Sequence, residues 1–441
     1  MRSWRSLPAL LVGSTLLASC GGDPTGGAAV ATVEVSLPTG MLIGDVVTAT
    51  VTLRDGSGNI LTGRTITFAL IAGPTISVDA AGLVTALAAG GPITVSASAG
   101  GRTGTATVTV RDDQRIGYAW ADNNASASYT PSATYSFNSS GGTITATRPG
   151  TGVYSVRFAG LARADGQREN VQVTAYSDPA YCNIAGWQNE GADLVVNILC
   201  FATTTGSAID SYYTVFVAGA RVLAGRVGFV LANQASTASY SPADFYNSAH
   251  GPVTITRSGP GTYQVRLTGL NRGATSGPEM VMVTEVGSGG TGSNRCVVEG
   301  WDYDGFDAYI NCTDRNGIDA DAQFSLLIME RGRTGQRTGF AWAHDAAGVN
   351  YTPSTQYSHN SSGGTVTATR VSVGTYRVTW EGLVKGAGTE TVLISAYGNA
   401  QRWCRTSFWG MATPTAFQVT LSCFDPGGAL ADAQFDIVTI Q

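Results

Sequence analysis

Six cysteines in the 441-residue sequence fall into three pairs with similar internal spacing. The pairs are Cys182 with Cys200, Cys296 with Cys312, and Cys404 with Cys423. The residues midway between the two cysteines of each pair are turn formers, and opposed residues of an antiparallel hairpin lie within disulfide reach. The spacing therefore predicts three hairpin disulfides. Metal ligation by these cysteines is the alternative, but no Cys-x-x-Cys or close Cys/His spacing supports it.

One tryptophan follows the first cysteine of each pair by five residues, and these are Trp187, Trp301 and Trp409. The cysteines are expected to face the core, because the residues that alternate with them on the second hairpin strand are apolar. An odd offset on an unbroken strand then directs the indole rings away from the core. We predict that these rings are outward binding positions for sugars or for a partner protein. The alternative is that a bulge, a loop or a neighbouring domain buries them.

Residues suited to catalysis show no repeated pattern. His250, His344 and His359 do not share a position in the repeats described below, and they are expected to be solvated loop residues. The sequence contains no His-Glu-x-x-His or Gly-x-Ser-x-Gly motif and no phosphate-binding glycine loop. Acidic residues are also expected not to recur between copies. We therefore predict a protein that is not an enzyme and needs no cofactor, although glycosidase carboxylates have no fixed spacing.

The segment 302–307, Asp-Tyr-Asp-Gly-Phe-Asp, has alternating carboxylates that could ligate Ca²⁺. The other two copies lack matching acids at this point. A hairpin turn between Cys296 and Cys312 also requires Asp and Gly here. We favour the turn and predict no metal site.

These residues must be positioned by a domain that occurs three times. Gly117-Tyr118-Ala119-Trp120 recurs as Gly228-Phe229-Val230-Leu231 and as Gly339-Phe340-Ala341-Trp342, with a spacing of 111 residues both times. A period of that length is typical of tandem domains. The predicted copies are repeat 1 (113–219), repeat 2 (226–331) and repeat 3 (337–441). Alternating apolar residues such as Tyr154, Val156 and Phe158 predict antiparallel sheets with one buried face.

Composition agrees with an all-β chain. Only 13% of the residues are charged and 57 are glycine, while β-branched residues and turn formers are abundant. The predicted fold is all-β, with an Ig-like sandwich followed by three tandem antiparallel β-sandwich repeats, each with a hairpin disulfide. The net charge is −5 and no basic run occurs, so no nucleic-acid partner is expected.

The N-terminus has the features of an export signal. Arg2 and Arg5 precede an apolar stretch at 7–18. Residues 17–20, Leu-Ala-Ser-Cys, resemble a bacterial lipobox, which implies cleavage before Cys20 and a lipid on its sulfur. An ordinary signal peptide that happens to contain a cysteine is the alternative. The predicted segments are the signal peptide at 1–20 and a flexible tether at 21–29, with Gly21 favouring the outer membrane.

Residues 30–112 form the remaining predicted domain. Short alternating segments, turns at intervals of about 8–12 residues, and the stretches 55–64, 82–86 and 104–110 resemble the bacterial Ig-like domain group 2 family (BIG2). The segment 69–76 departs from the family pattern. The resemblance implies an Ig-like sandwich without catalytic residues that acts as a surface spacer or display module.

Together these features predict a lipid-anchored protein of the bacterial cell envelope, at the outer membrane or cell surface. Its expected role is adhesion or the binding of a surface glycan or protein, with the lipid as its contact to the membrane. A purely structural spacer is the alternative, and a polysaccharide-acting hydrolase is the third possibility.

Overall fold

The computed structural model describes residues 28–70, 74–272, 277–287, 293–302, 306–332, 336–384, 389–398 and 401–441. Cys20 and the rest of the predicted signal peptide lie outside the described residues. The described chain is built of β-strands joined by turns and loops, and it contains no helix. A helix with the length and apolarity needed to cross a membrane does not occur in this part of the chain. The all-β prediction is confirmed.

The first module contains ten strands between Thr32 and Arg111. Its strands are β1 (Thr32–Ser36), β2 (Gly40–Leu42), β3 (Val46–Thr48), β4 (Thr50–Arg54), β5 (Ile60–Leu61), β6 (Thr67–Leu70), β7 (Ile76–Val78), β8 (Leu83–Ala86), β9 (Gly90–Ala99) and β10 (Arg102–Arg111). They form sheets in the orders β1-β4-β5, β2-β10-β9-β6 and β3-β8-β7. Apolar residues that alternate along these strands, such as Val84, Val95 and Val108, fill one core between the sheets.

The repeats contain the remaining strands. Repeat 1 has β11 (Ile116–Ala121), β12 (Ser128–Tyr129), β13 (Ser136–Asn138), β14 (Ile144–Gly150), β15 (Val153–Phe158), β16 (Glu169–Tyr176), β17 (Ala180–Glu190), β18 (Asp193–Ala202) and β19 (Tyr212–Gly219). Repeat 2 has β20 (Leu223–Ala232), β21 (Ser239–Tyr240), β22 (Phe245–Asn247), β23 (Val253–Gly259), β24 (Thr262–Leu267), β25 (Met280–Val286), β26 (Arg295–Asp302), β27 (Asp307–Thr313) and β28 (Gln323–Gly332). Repeat 3 has β29 (Thr338–Ala343), β30 (Ser358–Asn360), β31 (Val366–Ser372), β32 (Thr375–Glu381), β33 (Thr391–Tyr397), β34 (Trp403–Thr413), β35 (Ala416–Phe424) and β36 (Gln434–Ile440).

Each repeat is a sandwich whose two layers belong to different sheets. In repeat 1 the order β13-β11-β19-β16 forms one layer and the order β12-β14-β15-β18-β17 forms the other. Val156, Phe158 and Val196 from one layer meet Val171 and Val215 from the other in a single core. Repeats 2 and 3 have equivalent cores, as predicted from the alternation of their sequences.

The three repeats are closed into a ring by their sheets. The cysteine-bearing strand of each repeat runs parallel to a strand of the next, in the pairs β17 with β25, β26 with β33, and β34 with β16. One backbone hydrogen bond recurs at each joint with a length of 2.8 Å: Gly287 N to Ile184 O, Gly398 N to Val298 O, and Ser177 N to Thr406 O. Repeat 3 therefore returns to repeat 1, and the repeats circle a pseudo-threefold axis rather than extending in a row.

Hydroxyl groups hold the three inner strands β16, β25 and β33 together at this axis. Thr174 Oγ1 accepts from Ile394 N at 3.1 Å, Thr284 Oγ1 accepts from Val173 N at 3.2 Å, and Ser395 Oγ accepts from Val283 N at 3.0 Å. Each hydroxyl thus binds the backbone of a different repeat in a cyclic order. We call these three residues the hydroxyl ring.

The first module is docked on one end of the repeat ring. Leu42 at the end of β2 belongs to a buried cluster that includes Phe216, Met280 and Phe340, which come from repeats 1, 2 and 3 respectively. Arg221 donates from Nη1 to the carbonyl of Ile43 at 2.7 Å. The module therefore covers the end of the axis where these apolar side chains meet.

Candidate functional site

The three predicted disulfides are present. Cys182–Cys200, Cys296–Cys312 and Cys404–Cys423 have Cα–Cα distances of 4.1, 4.0 and 4.0 Å. In each pair the two cysteines are directly opposed across a hairpin. The prediction from the midpoints was correct because the bulges between the cysteines and the turns displace the turns by no more than about one residue.

The prediction that the three tryptophans point away from the core is wrong, because each first strand contains a bulge. The register shifts between Ile184 and Gly186 in β17, and equivalent shifts occur in β26 and β34. One extra residue changes the parity of the strand, so the tryptophan returns to the face of the cysteine. Trp187, Trp301 and Trp409 consequently lie opposite Val196, Ala308 and Val419, which are fully buried.

These tryptophans lie at the joints of the repeat ring. Trp301 packs against Trp342, Tyr357 and Tyr397 of repeat 3, with ring centroids 5.5 to 6.1 Å apart. Trp409 packs against Trp120, Tyr135 and Tyr176 of repeat 1, at 5.0 to 5.8 Å. Trp187 belongs to the same apolar cluster as Leu231 and Val286 of repeat 2. The rings therefore join neighbouring repeats, and Trp409 is only 5% exposed.

Sequence reasoning missed a carboxylate that recurs beside these tryptophans. Glu169 is the first residue of β16, and Glu279 and Glu390 directly precede β25 and β33. All three are buried, so the expectation that acids do not recur is wrong. Trp187 Nε1 donates to Glu169 at 3.1 Å, and Trp301 Nε1 donates to Glu279 at 3.3 Å. An arginine pairs with the same carboxylates: Arg115 with Glu169 at 2.8 Å and Arg226 with Glu279 at 2.5 Å. Glu169 and Glu279 are therefore neutralised and have a structural role.

A second recurring acid follows the spacing of 111 residues. Asp210, Asp321 and Asp432 each bind an arginine, a tyrosine hydroxyl and a backbone N–H of the same repeat. In repeat 1 the Arg148 Nε to Asp210 distance is 2.7 Å, and that ion pair holds the pKa of the Asp210 carboxyl below its ordinary value. A carboxylate whose oxygens are occupied in this way locks a turn and is not available as a general base.

The histidines differ from the expected solvated loop residues at two positions. His344 packs against Trp342, with ring centroids 5.2 Å apart, and His359 packs against Phe340 at 5.4 Å. Burial lowers the pKa of the His359 imidazole. Only His250 occupies an exposed loop position, where Nδ1 lies 3.8 Å from Asp45 of the first module.

The acidic turn in repeat 2 is partly outside the described residues, because 303–305 are not described. The flanking acids have other partners: Asp307 binds Arg266 and Asp302 accepts from Tyr309. Within the described chain, no group of three or more His, Cys, Asp or Glu residues is placed to hold a metal ion.

A polar cleft lies between the first module and the repeat ring. It has a volume of about 720 Å³ and is lined by Thr39 of the module, Arg163, Gln167, Arg168 and Asn189 of repeat 1, and Asp244 of repeat 2. A ligand site of this size is common at domain interfaces. The backbones meet closely at its floor, where a Cβ atom on Gly40 would lie 2.2 Å from the carbonyl oxygen of Asp165. We call this the module–ring cleft.

The side chains of the module–ring cleft are fixed by internal bonds. Arg163 Nη1 pairs with Asp244 at 2.7 Å, and Asn189 Nδ2 donates to the Arg163 carbonyl at 2.6 Å. Gln167 Oε1 accepts from Ala164 N at 2.9 Å. The cleft continues into a second hollow of about 320 Å³ that is lined by Arg168, Asp45 and His250. Burial raises the pKa of the Asp45 carboxyl there.

No protein-family model and no curated protein matches this chain. Among solved structures it is similar to a crystal structure of domains 4 and 5 of the S-layer protein SbsC, with 18% identity and a TM-score of 0.22. That likeness covers 53% of this chain and 94% of the other. We draw neither fold nor function from a likeness of this size. The described structure itself defines a multi-domain β-sandwich protein.

Proposed function

We propose that the protein is a non-catalytic, lipid-anchored protein of the bacterial cell envelope that binds a polar surface ligand in the module–ring cleft. The observation that carries this proposal is the cleft itself. Its guanidinium, amide and carboxylate groups are held in place before any ligand arrives, which lowers the entropy lost on binding. Groups of this kind bind the hydroxyls of a glycan, and a glycan is the ligand that we favour over a protein.

The spacer alternative is less well supported by the arrangement of the repeats. Three domains in a row would increase the reach of the chain, but domains that circle an axis do not. The shared sheets instead give a rigid body with one module docked on it. A rigid arrangement of domains suits a binding cleft, whose side chains must be held in place, better than it suits a flexible spacer.

The anchor in this proposal is Cys20, which precedes the first described residue, Ala28, by eight positions. More than one acyl chain on that residue would hold the protein stably at a membrane. Replacing Cys20 with Ser and fractionating the cells tests the anchor. Firm membrane attachment of the variant would contradict it.

Binding of the intact chain to a panel of bacterial and host-surface glycans tests the ligand proposal. Arg168 lines both parts of the cleft, so Arg168→Ala is expected to weaken binding at least about tenfold, or about 1.4 kcal/mol. Arg102→Ala is the matched control. Arg102 is exposed at the start of β10, whereas Arg111 at the other end of this strand lies beside the cleft. The length of the strand separates Arg102 from the cleft by about 30 Å. Equal binding by the two variants, or binding to no member of the panel, would count against a glycan site here.

A further inference from the structure

The outer sheet face of repeat 3 carries a row of side chains that point away from its core. This face belongs to β31, β32, β35 and β34, whose opposite face packs into the core of the repeat. Strand pairing aligns Thr369, Arg377, Thr420 and Phe408 across these four strands. Each of them is next to a core residue in its strand, so all four face outward. We call this row the repeat 3 platform.

Phe408 places an exposed aromatic ring within a strand. The side chain is 58% exposed. Its ring leans over Gly410, where a Cβ atom would lie 3.4 Å from Phe408 Cζ, so the strand beside the ring carries no side chain of its own. In repeats 1 and 2 the order is reversed around the tryptophan, with glycine before it and a larger residue after it, as Gly186 with Gln188 and Gly300 with Asp302. Among the three repeats, repeat 3 alone presents an aromatic ring at this position.

The outward arginine also differs between the repeats. In repeats 1 and 2 it pairs with an acid of the adjacent strand, as Arg157 with Asp193 at 3.0 Å and Arg266 with Asp307. Arg377 of repeat 3 lies two residues earlier in the equivalent strand, which puts it in the row of Phe408. It is exposed and has no ion pair among the described residues. Neutral residues stand at the positions of the two acids, namely Ala416 and Gln418.

Two other charged side chains face outward from this sheet. Glu381 is exposed at the end of β32, four residues or about 13 Å from Arg377. Arg405 is half-buried, with its guanidinium 5.2 Å from the ring centroid of Phe424, and its charge interacts with that of Asp178. The repeat 3 platform itself therefore has one cation and no acid.

We propose that the repeat 3 platform binds an acidic polysaccharide made of pyranose rings, with Phe408 stacked on one ring and Arg377 paired with the carboxylate of a neighbouring ring. The C–H face of a pyranose packs well on an aromatic ring, and a guanidinium binds a carboxylate through two parallel hydrogen bonds. The two residues are two strands or about 10 Å apart, and Thr420 offers a hydroxyl between them.

The residues of the platform favour this ligand over other partners. A single exposed phenylalanine is common on protein surfaces, but here it shares a row with an arginine that lacks an acid. A nucleic acid would need several cations along its backbone, and the platform has one. A second copy docked by twofold symmetry on the platform would bring two Arg377 guanidinium groups together.

The platform is separate from the module–ring cleft, because no residue of repeat 3 lines either hollow of that cleft. The inference thus adds a second site to the proposed function and does not depend on the first. A ligand bound at one site can be distinguished from a ligand bound at the other by substitutions in each.

Isothermal titration calorimetry of the intact, oxidised chain with an oligogalacturonate tests the site. A neutral malto-oligosaccharide of the same length is the comparison. We expect saturable binding of the oligogalacturonate that weakens at least about threefold as NaCl increases from about 0.05 to 0.3 M, and weaker binding of the neutral oligosaccharide. No binding of the oligogalacturonate, or equal binding of the two, would overturn the proposal.

Two substitutions restore residues that the other repeats carry at these positions. Phe408→Gly should weaken oligogalacturonate binding at least about tenfold, through loss of the stacked ring. Arg377→Gln, which introduces the residue found at Gln264, should weaken it at least about fivefold and remove most of the salt dependence. If Phe408→Gly does not fold, Phe408→Leu removes the aromatic ring and keeps an apolar side chain, with the same expected direction.

Control variants locate the site. Phe137→Ser removes an exposed phenylalanine from repeat 1 and should leave binding unchanged, as should Arg168→Ala in the module–ring cleft. Weaker binding in Arg168→Ala with full binding in the platform variants would place the oligogalacturonate in the cleft and refute this inference. A dimer in sedimentation velocity that Phe408→Gly dissociates would show that a second copy covers the platform, and would refute it as well.

Discussion

The three joints of the repeat ring have the same backbone geometry but different side-chain chemistry. At the joints of Trp301 and Trp409, the next repeat supplies one tryptophan and two tyrosines. At the joint of Trp187, the equivalent positions are Leu231, Asp244 and Val286. Two joints are therefore aromatic quartets, while the first combines an aliphatic contact with an ion pair.

This difference explains where the polar cleft is found. Asp244 occupies the position that Tyr135 and Tyr357 hold in the other repeats, and it pairs with Arg163 across the first joint. The equivalent arginine of repeat 2, Arg272, lies over the ring of Tyr357 at 5.7 Å. An aspartate in place of the tyrosine thus replaces an aromatic contact by an ion pair, and both residues of that ion pair line the module–ring cleft.

The largest expected effect comes from removing a quartet tryptophan. Trp409→Ala should lower the free energy of unfolding by about 3–5 kcal/mol, because a buried indole and its aromatic contacts are lost. Trp187→Ala should lower the free energy of unfolding by about 1–2 kcal/mol less than Trp409→Ala. The Trp187 ring is half-buried and is not part of an aromatic quartet. Urea unfolding with the disulfides intact gives both values. Equal losses would mean that the aromatic contacts add nothing beyond burial.

Disulfide removal provides the comparison that is independent of the joints. The bridged cysteines are 18, 16 and 19 residues apart, so each Cys→Ser pair should lower the free energy of unfolding by about 3 kcal/mol in all repeats. Chemical denaturation of the three double variants measures this. If the three decreases in the free energy of unfolding differ between repeats in the same way as those of the tryptophan variants, the repeats themselves differ in stability and the joints do not explain the difference.

The two quartets can be separated by pH. Asp436 is fully buried opposite Trp342, where the other repeats have Thr214 and Ser325, and burial raises the pKa of its carboxyl well above the ordinary value. The protonated Asp436 carboxyl therefore contributes fully to stability at a pH below its pKa in the unfolded chain. This contribution is lost as the pH rises through its higher pKa in the folded protein. The free energy of unfolding of the Asp436→Asn variant should therefore increase relative to that of the wild type by about 1.4 kcal/mol per pH unit over that range. Parallel stability curves between pH 5 and 10 would contradict an ionisable Asp436.

The smallest effect is expected at the ion pair of the first joint. A double-mutant cycle of Arg163→Ala and Asp244→Ala should give a coupling of about 0.2–1 kcal/mol, because both side chains are partly exposed. The coupling should decrease as NaCl increases from about 0.05 to 0.5 M. A coupling that is insensitive to salt would show that this pair is shielded from solvent.

The hairpins and their buried faces could be predicted from the sequence, because both depend on residues that are close together in the chain. Turn formers between Cys182 and Cys200 specified a hairpin, and alternation specified its buried face. The tryptophan orientation was mispredicted because the bulge interrupts the alternation. Its signal was present in two repeats, where Gly186 and Gly300 precede the tryptophan, since glycine within a strand often marks a bulge.

Ring closure could not be predicted from periodicity, because tandem repeats in a row and in a circle share one sequence pattern. One indication was available in β25, which begins with four consecutive apolar residues and is buried along its whole length. A strand buried on both faces needs cover on each side, and the outer layer of an isolated sandwich does not provide it. The hydroxyl ring depends on residues from three repeats, so no single segment indicates it.

The hydroxyl ring also constrains the order in which the chain can fold. Thr174 binds Ile394 across 220 residues, and Tyr118 binds Thr389 across 271. Repeat 1 is synthesised first, but the strand of repeat 3 that completes its sheet is synthesised much later. Its inner edge stays unpaired until then, which favours slow folding and exposure to edge-to-edge aggregation. Early formation of the three disulfides would lock the hairpins, so that the last step is the docking of preformed units.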